Sequence, residues 1–220
     1  MSVSPKERQF RAVLPLIRLM QSWVPWPLAR FFLEQSLKKV RLGPDVRRES
    51  VSADGVPCEW ILPAKSREGR VLLYLHGGGF VYGLTPQHLQ MGAELARKTG
   101  ARILLVDYRL APRHPFPALL EDCETAYRWL LEQDVSSRGI AVAGDSAGGN
   151  LTLTLMLKLR KAGVELPAAG ACLSPAVDFS NKINRPHDFQ DPVVPPRIMK
   201  RYTEAYLGAS DPLNPLISPV

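Results

Sequence analysis

Four short apolar runs alternate with longer amphipathic stretches, and this alternation restricts the fold of the chain more tightly than any other feature. The runs are residues 71–75 (VLLYL), 103–106 (ILLV), 140–143 (IAVA) and 168–173 (AAGACL). Each is about one buried strand long, and Gly, Asp or Ser follows within two residues. Continuous apolar runs of this kind suit parallel strands covered on both faces. Between them, residues 86–98, 117–132 and 147–162 place apolar side chains at helical spacing. In the second stretch Leu119, Leu120, Cys123, Ala126, Tyr127, Leu130 and Leu131 predict the buried stripe, and Glu121, Asp122, Glu124, Arg128 and Glu132 the wet side. Ahead of these, residues 48–53 and 58–62 flank Asp54-Gly55, the signal of an antiparallel hairpin. The expectation is an α/β fold whose sheet is mixed, antiparallel at its start and otherwise parallel, with helices on both faces.

Two stretches fall outside this rhythm. Residues 1–45 read as amphipathic helices, with Trp23, Trp26, Phe31, Phe32 and Leu33 among the apolar positions; residues 181–220 are proline-rich, with one helix near 197–206. Both are expected to cover the carboxyl edge of the sheet, where ligands of open α/β folds bind. The organisation is therefore read as N-terminal cap helices (1–45), an α/β core (46–180) and a cap insertion (181–220).

The chain has 220 residues, 45% of them hydrophobic and 22% charged, which excludes disorder and collagen. Ten Lys and Arg against four Asp and Glu in the first 50 residues hold +6 of the net charge of +7. No nucleic-acid fold signature accompanies that charge, so no nucleic-acid partner is expected. Contact with a membrane surface is the lesser reading of the basic segment; a solvated helix face is the main one. Arg18, Arg30, Pro15, Pro25 and Pro27 interrupt the apolar patches there, leaving less than the ~20 residues a membrane span requires. Cys58, Cys123 and Cys172 have no CxxC spacing, so neither a disulfide framework nor a metal site is expected, and the setting is read as cytoplasmic. Cys123 and Cys172 are read as core residues.

Two glycine motifs carry the chemistry. Gly144-Asp145-Ser146-Ala147-Gly148 is a G-x-S-x-G sequence that directly follows one predicted strand and opens a helix. A nucleophile elbow needs that context, because the turn is so tight that flanking residues must be small. By itself the motif reads equally well as a glycine-rich turn that binds phosphate or merely packs. His76-Gly77-Gly78-Gly79-Phe80 follows the strand at 71–75 and decides between the two. Consecutive glycines let backbone N–H groups approach a ligand as an oxyanion hole requires, and an HGGG loop is the partner of an elbow serine. His76 is read as bracing this loop through hydrogen bonds. Asp107 and Arg109 are read as a local ion pair or turn, and His88 and His114 as incidental.

These motifs, together with Asp107-Tyr108-Arg109-Leu110-Ala111-Pro112, the segment 114–118 (HPFPA) and Ser174-Pro175, resemble the hormone-sensitive-lipase-like carboxylesterases of the α/β-hydrolase fold. The likeness runs from about residue 40 to the end of the chain. It implies that Ser146 is the nucleophile and that the amides of Gly77, Gly78 and Ala147 form the oxyanion hole. It also implies a helical cap, a small-molecule ester as substrate and no cofactor. Some members of the same likeness, the plant gibberellin receptors, bind small molecules without catalysis, and that is the alternative function; action on amides or lactones is another.

In this fold the triad runs Ser, then Asp or Glu, then His. The resemblance places both partners after the cap insertion, which would lie beyond Val220. The chain is thus expected to be truncated by about 80–100 residues of an ordinary domain, to turn over little or not at all, and to expose an apolar sheet edge. An alternative triad within the chain would be Ser146, Asp178 and His187.

Overall fold

The computed structural model describes residues 4–180 and 191–219. Strands β1 (Val46–Ala53) and β2 (Val56–Pro63) form the hairpin. Asp54 and Gly55 both have positive φ, 48° and 91°, the turn that matches the twist of paired strands. β2 then pairs antiparallel with β4 (Arg102–Val106), and from there the sheet is parallel through β3 (Val71–Leu75), β5 (Ile140–Asp145) and β6 (Ala169–Leu173). The strand order is β1-β2-β4-β3-β5-β6.

That order contains one reversal. From β3 the chain crosses through α3 (Pro86–Thr99) to β4 on one side, then returns through α4 (Ala118–Glu132) to β5 on the other. Adjacent parallel strands whose connections diverge leave a crevice at their carboxyl ends. Leu75 pairs with Gly144 across β3 and β5, so residues 76–80 and 145–148 emerge together at that crevice. α5 (Ala147–Lys161) leads on to β6.

Two apolar layers sandwich the sheet. On one face Ile61, Tyr74, Ile103 and Leu105 pack under Leu89, Ala93 and Ala96 of α3; on the other Leu73, Leu104 and Val142 pack under Leu120, Tyr127, Leu151 and Leu155 of α4 and α5. In α4 the predicted stripe is buried except for Leu131, which is partly exposed. Asp122 corrects the expected wet side: it is buried, because the Arg109 guanidinium covers it with contacts at 2.8–3.0 Å. Cys123 is buried, but Cys172 is only partly so, since β6 is the last strand of the sheet among the described residues.

The terminal helices differ from the core. α1 (Pro5–Trp23) and α2 (Trp26–Leu37) bury almost nothing apolar; Leu14 is their one buried hydrophobic residue among those described. Val13, Leu16, Leu19 and Trp23 share one outward face of α1, and Leu28, Phe31 and Phe32 one of α2, all more than two-fifths exposed. α6 (Pro196–Leu207) is better seated, with Ile198, Tyr202, Ala205 and Tyr206 buried. No helix of the described residues is long and apolar enough to cross a membrane.

Candidate active site

Ser146 joins β5 to α5 at φ 50° and ψ −113°. A non-glycine residue held there is strained by about 1–3 kcal/mol. Backbone hydrogen bonds hold it in place: its N–H donates to the Leu173 carbonyl at 2.9 Å, and its own carbonyl accepts from Ala176 at 3.2 Å and Asn150 at 3.1 Å. The serine is exposed while residues 147–150 behind it are all buried. The flanking glycines follow from the close passage of β3. A Cβ on Gly148 would collide with the Leu75 carbonyl oxygen, and one on Gly144 with the Gly148 carbonyl. The elbow sequence is thus imposed by backbone against backbone.

The loop after β3 lies opposite. His76 is fully buried, its ring stacked on Tyr108 at 4.1 Å and 8°. Its Nδ1 lies 2.8 Å from the Gly77 carbonyl; a carbonyl only accepts, so Nδ1 carries the proton. Burial pulls its pKa down to about 4, and the imidazole is neutral. The Tyr108 hydroxyl donates to the His76 carbonyl at 2.5 Å.

The expected oxyanion donors need one correction. The Gly77 amide already donates to Asp145 Oδ1 at 2.9 Å, so it points away from the crevice. Gly78 and Gly79, by contrast, line one cavity of about 130 Å³ together with Ser146 and Ala147. Among the described residues the N–H groups of Gly78, Gly79 and Ala147 have no acceptor. Ala147 opens α5, where amides are unpaired and the helix dipole favours negative charge.

Asp145, adjacent to Ser146, organises this corner, and the sequence reading gave it no role. Its Oδ1 accepts from Gly77 and from the Tyr74 hydroxyl at 2.8 Å. His88 Nε2 stands 3.7 Å from the same oxygen. His88 is therefore not incidental: it is largely buried, its Nδ1 accepts from the Thr85 amide at 3.1 Å to close a capping box on α3, and its ring lies 5.5 Å from that of His76. Burial lowers its pKa, with His76 as the next cause. Asn150 also escaped notice. It donates to the carbonyls of Ala176 and Ile217, both at 2.8 Å, tying α5 to the C-terminal segment.

Arg109 pairs with Asp122 and Glu121 on α4 rather than with Asp107. Asp107 instead borders a second cavity of about 250 Å³ beneath α2, with Arg30, Glu34 and His114 among its lining residues; Ser146 is not one of them. Burial raises the Asp107 carboxyl to about 6. Asp178 accepts from the amide and hydroxyl of Ser180 at 2.7 and 2.6 Å, and His187 lies outside the described residues. No described histidine is hydrogen-bonded to the Ser146 hydroxyl. Among the described residues no group of three or more His, Cys, Asp or Glu could hold a metal ion.

A family model described as the alpha/beta hydrolase fold matches residues 72–220. An acetyl-hydrolase of Streptomyces hygroscopicus is 36% identical over 192 residues, covering 81% of this chain and 64% of that protein. Two crystal structures, each 38% identical and each covered over 74% of its length, superpose closely. One is a mutant of the esterase E40, with TM-score 0.88 over 98% of this chain; the other is an esterase from the bacterial hormone-sensitive lipase family, with TM-score 0.83 over 100%. The chain spans less than two thirds of the length of the curated relatives it matches.

Proposed function

The chain belongs to the hormone-sensitive-lipase-like family of the alpha/beta hydrolase fold, and from that premise we propose that it is a serine carboxylesterase of short to medium acyl esters. One observation carries the reading: an exposed serine, strained at φ 50°, shares a 130 Å³ cavity with three amides that lack acceptors among the described residues. Ser146 Oγ attacks the ester carbonyl carbon. The amides of Gly78, Gly79 and Ala147 receive the oxygen as it gains charge, where preorganised donors are worth most. The alkoxide leaves as the alcohol, and water then releases the acid from the acyl-enzyme.

Gly77 has a different part in this mechanism. Through Asp145 it fixes the loop from which the next two amides project. His76 supports the loop from beneath, and its neutral, buried ring is unsuited to taking the serine proton. That proton needs a base, which must come from His187 or from outside these 220 residues. Little turnover is therefore expected of the 220 residues alone, though oxyanion binding leaves some residual catalysis. Helices α1, α2 and α6 are proposed to form the cap over the crevice.

A fluorophosphonate probe tests the assignment. Covalent labelling that maps to Ser146 and disappears in Ser146→Ala is expected of a full-length protein in which the base is present. Labelling at another serine overturns the proposal, as does hydrolysis that survives Ser146→Ala undiminished.

A further inference from the structure

The cavity at Ser146 is apolar along most of its wall, with Phe80, Phe179, Val194 and Met199 among its lining residues. At one corner it is not. Gln21 from α1, Tyr82 from the glycine loop and Tyr202 from α6 are polar side chains in its wall, with the Tyr82 and Tyr202 rings 6.0 Å apart. Tyr202 is 5% exposed, yet among the described residues its hydroxyl meets hydrogen-bond geometry with no partner; Gln21 Oε1 is likewise buried without one. The Tyr82 phenol lies close enough that its charge and a weak side-chain hydrogen-bonding contact both add to the upward shift that burial imposes on Tyr202.

Buried polar atoms are nearly always paired, and orphans aimed into a cavity mark a group the cavity receives. The two are also held in place. Arg201 Nη1 donates to the backbone carbonyls of Gln21 and Ser22, both at 3.1 Å, clamping α1 against α6. The Tyr202 ring rests on Gly79 so closely that a Cβ there would collide with it.

Tyr202 offers a hydroxyl and Gln21 an amide. A single group that donates and accepts at once satisfies both, whichever way the amide is oriented. We propose that this corner is a subsite for a hydroxyl group of the substrate, so that the preferred ester carries a free hydroxyl within a few bonds of its carbonyl. Tyr202 and Gln21 are its specificity residues. The cavity holds roughly four water volumes, which keeps the hydroxyl close to the reacting carbonyl. The hydroxyl belongs either to the alcohol half, as in a partial ester of a diol or triol, or to the acyl half, as in a hydroxyacyl ester.

The inference rests on the esterase reading, but its test does not need turnover. Binding of ethyl butyrate, 2-hydroxyethyl butyrate and ethyl 3-hydroxybutyrate to Ser146→Ala is measured by ligand-observed NMR titration. One hydroxylated ester is expected to bind about tenfold more tightly than ethyl butyrate, and which one it is identifies the half concerned. Tyr202→Phe in the same background keeps the ring on Gly79 and should bring that ratio close to one, as should Gln21→Met. Equal binding of all three esters overturns the subsite, as does a preference that survives both substitutions. A hydroxyl preference lost in Tyr202→Phe, combined with no probe labelling at Ser146 in a full-length protein that carries the histidine base, would retain the subsite and overturn the esterase reading.

Discussion

The Gly77 amide nitrogen lies 2.9 Å from Asp145 Oδ1, so the residue beside the proposed nucleophile holds the start of the loop that faces it. The two halves of the site are joined by this bond across the β3–β5 crevice. Asp145→Ala leaves the Gly77 N–H and the Tyr74 hydroxyl without their acceptor, each such loss costing about 1–3 kcal/mol. A lower melting temperature and at least tenfold slower fluorophosphonate labelling are expected. Asp145→Asn keeps an acceptor oxygen and should lie between the two.

Glycines separate by cause. Gly148 cannot accept a Cβ because the Leu75 backbone occupies its place, and Gly148→Ala should exceed about 4 kcal/mol of destabilisation, the range reserved for severe core defects. Gly163 has φ 67° with nothing within 4 Å; Gly163→Ala there should cost only about 1 kcal/mol, the left-handed backbone penalty. Urea unfolding midpoints of the two variants compare them directly.

Asp107 should impose a measurable pH signature. Its carboxyl titrates near 6 in the folded protein because it is buried, against about 3.9 when unfolded. Between those values the folded state binds more protons, so this residue makes the protein more stable as pH falls from 6 towards 4, and the penalty is complete above pH 6. His76 acts in the opposite sense. It is neutral when folded, with a pKa of about 4, so its stabilisation is intact above pH 6.5 and lost as pH falls to 4. Asp107→Asn should therefore raise stability by up to about 2 kcal/mol at pH 7, a gain that vanishes by pH 4. Chemical denaturation across that window measures it, and a variant less stable at pH 7 contradicts the account.

Arg109→Ala strands Asp122, whose side chain is only 8% exposed. The Arg109 backbone N–H still donates to it at 2.8 Å, so the cost should stop at about 1–3 kcal/mol, short of the 3–5 kcal/mol of a fully buried broken pair. Asp122→Asn in the same background should recover part of that loss in thermal unfolding.

On α1 the outward residues Leu16, Leu19 and Trp23 are 57–76% exposed. Replacing any one by Ser should change stability by no more than about 0.5 kcal/mol, while Leu14→Ser, on the buried face, should loosen the helix visibly in hydrogen exchange.

The strands and core helices were legible because burial on both faces leaves an unbroken apolar run, and an amphipathic helix repeats its pattern several times. The serine was legible because the elbow's glycines are demanded by backbone crossings, as at Gly148. What escaped were contacts between residues far apart in sequence. Nothing in the local sequence of Asp145 reveals that it accepts from Gly77, 68 residues away, so the sequence does not show that, among the described residues, Gly78 and Gly79 rather than Gly77 keep their amides without an acceptor. Asp122 looked solvated because Arg109, on another element, supplies its cover. His88 looked like a surface residue because the Asp145 carboxylate and the His76 ring beside it lie at the ends of two other strands.

Tyr202 lies against Gly79, and Tyr206 stacks on Phe80 at 3.7 Å, so α6, proposed above as part of the cap, also packs directly on the glycine loop. Grafting a foreign α6 from a relative to alter substrate preference would disturb the alignment of the hydrogen-bond donors at the same stroke. Libraries that vary this helix should hold positions 202 and 206 aromatic and diversify 199 and 203 instead.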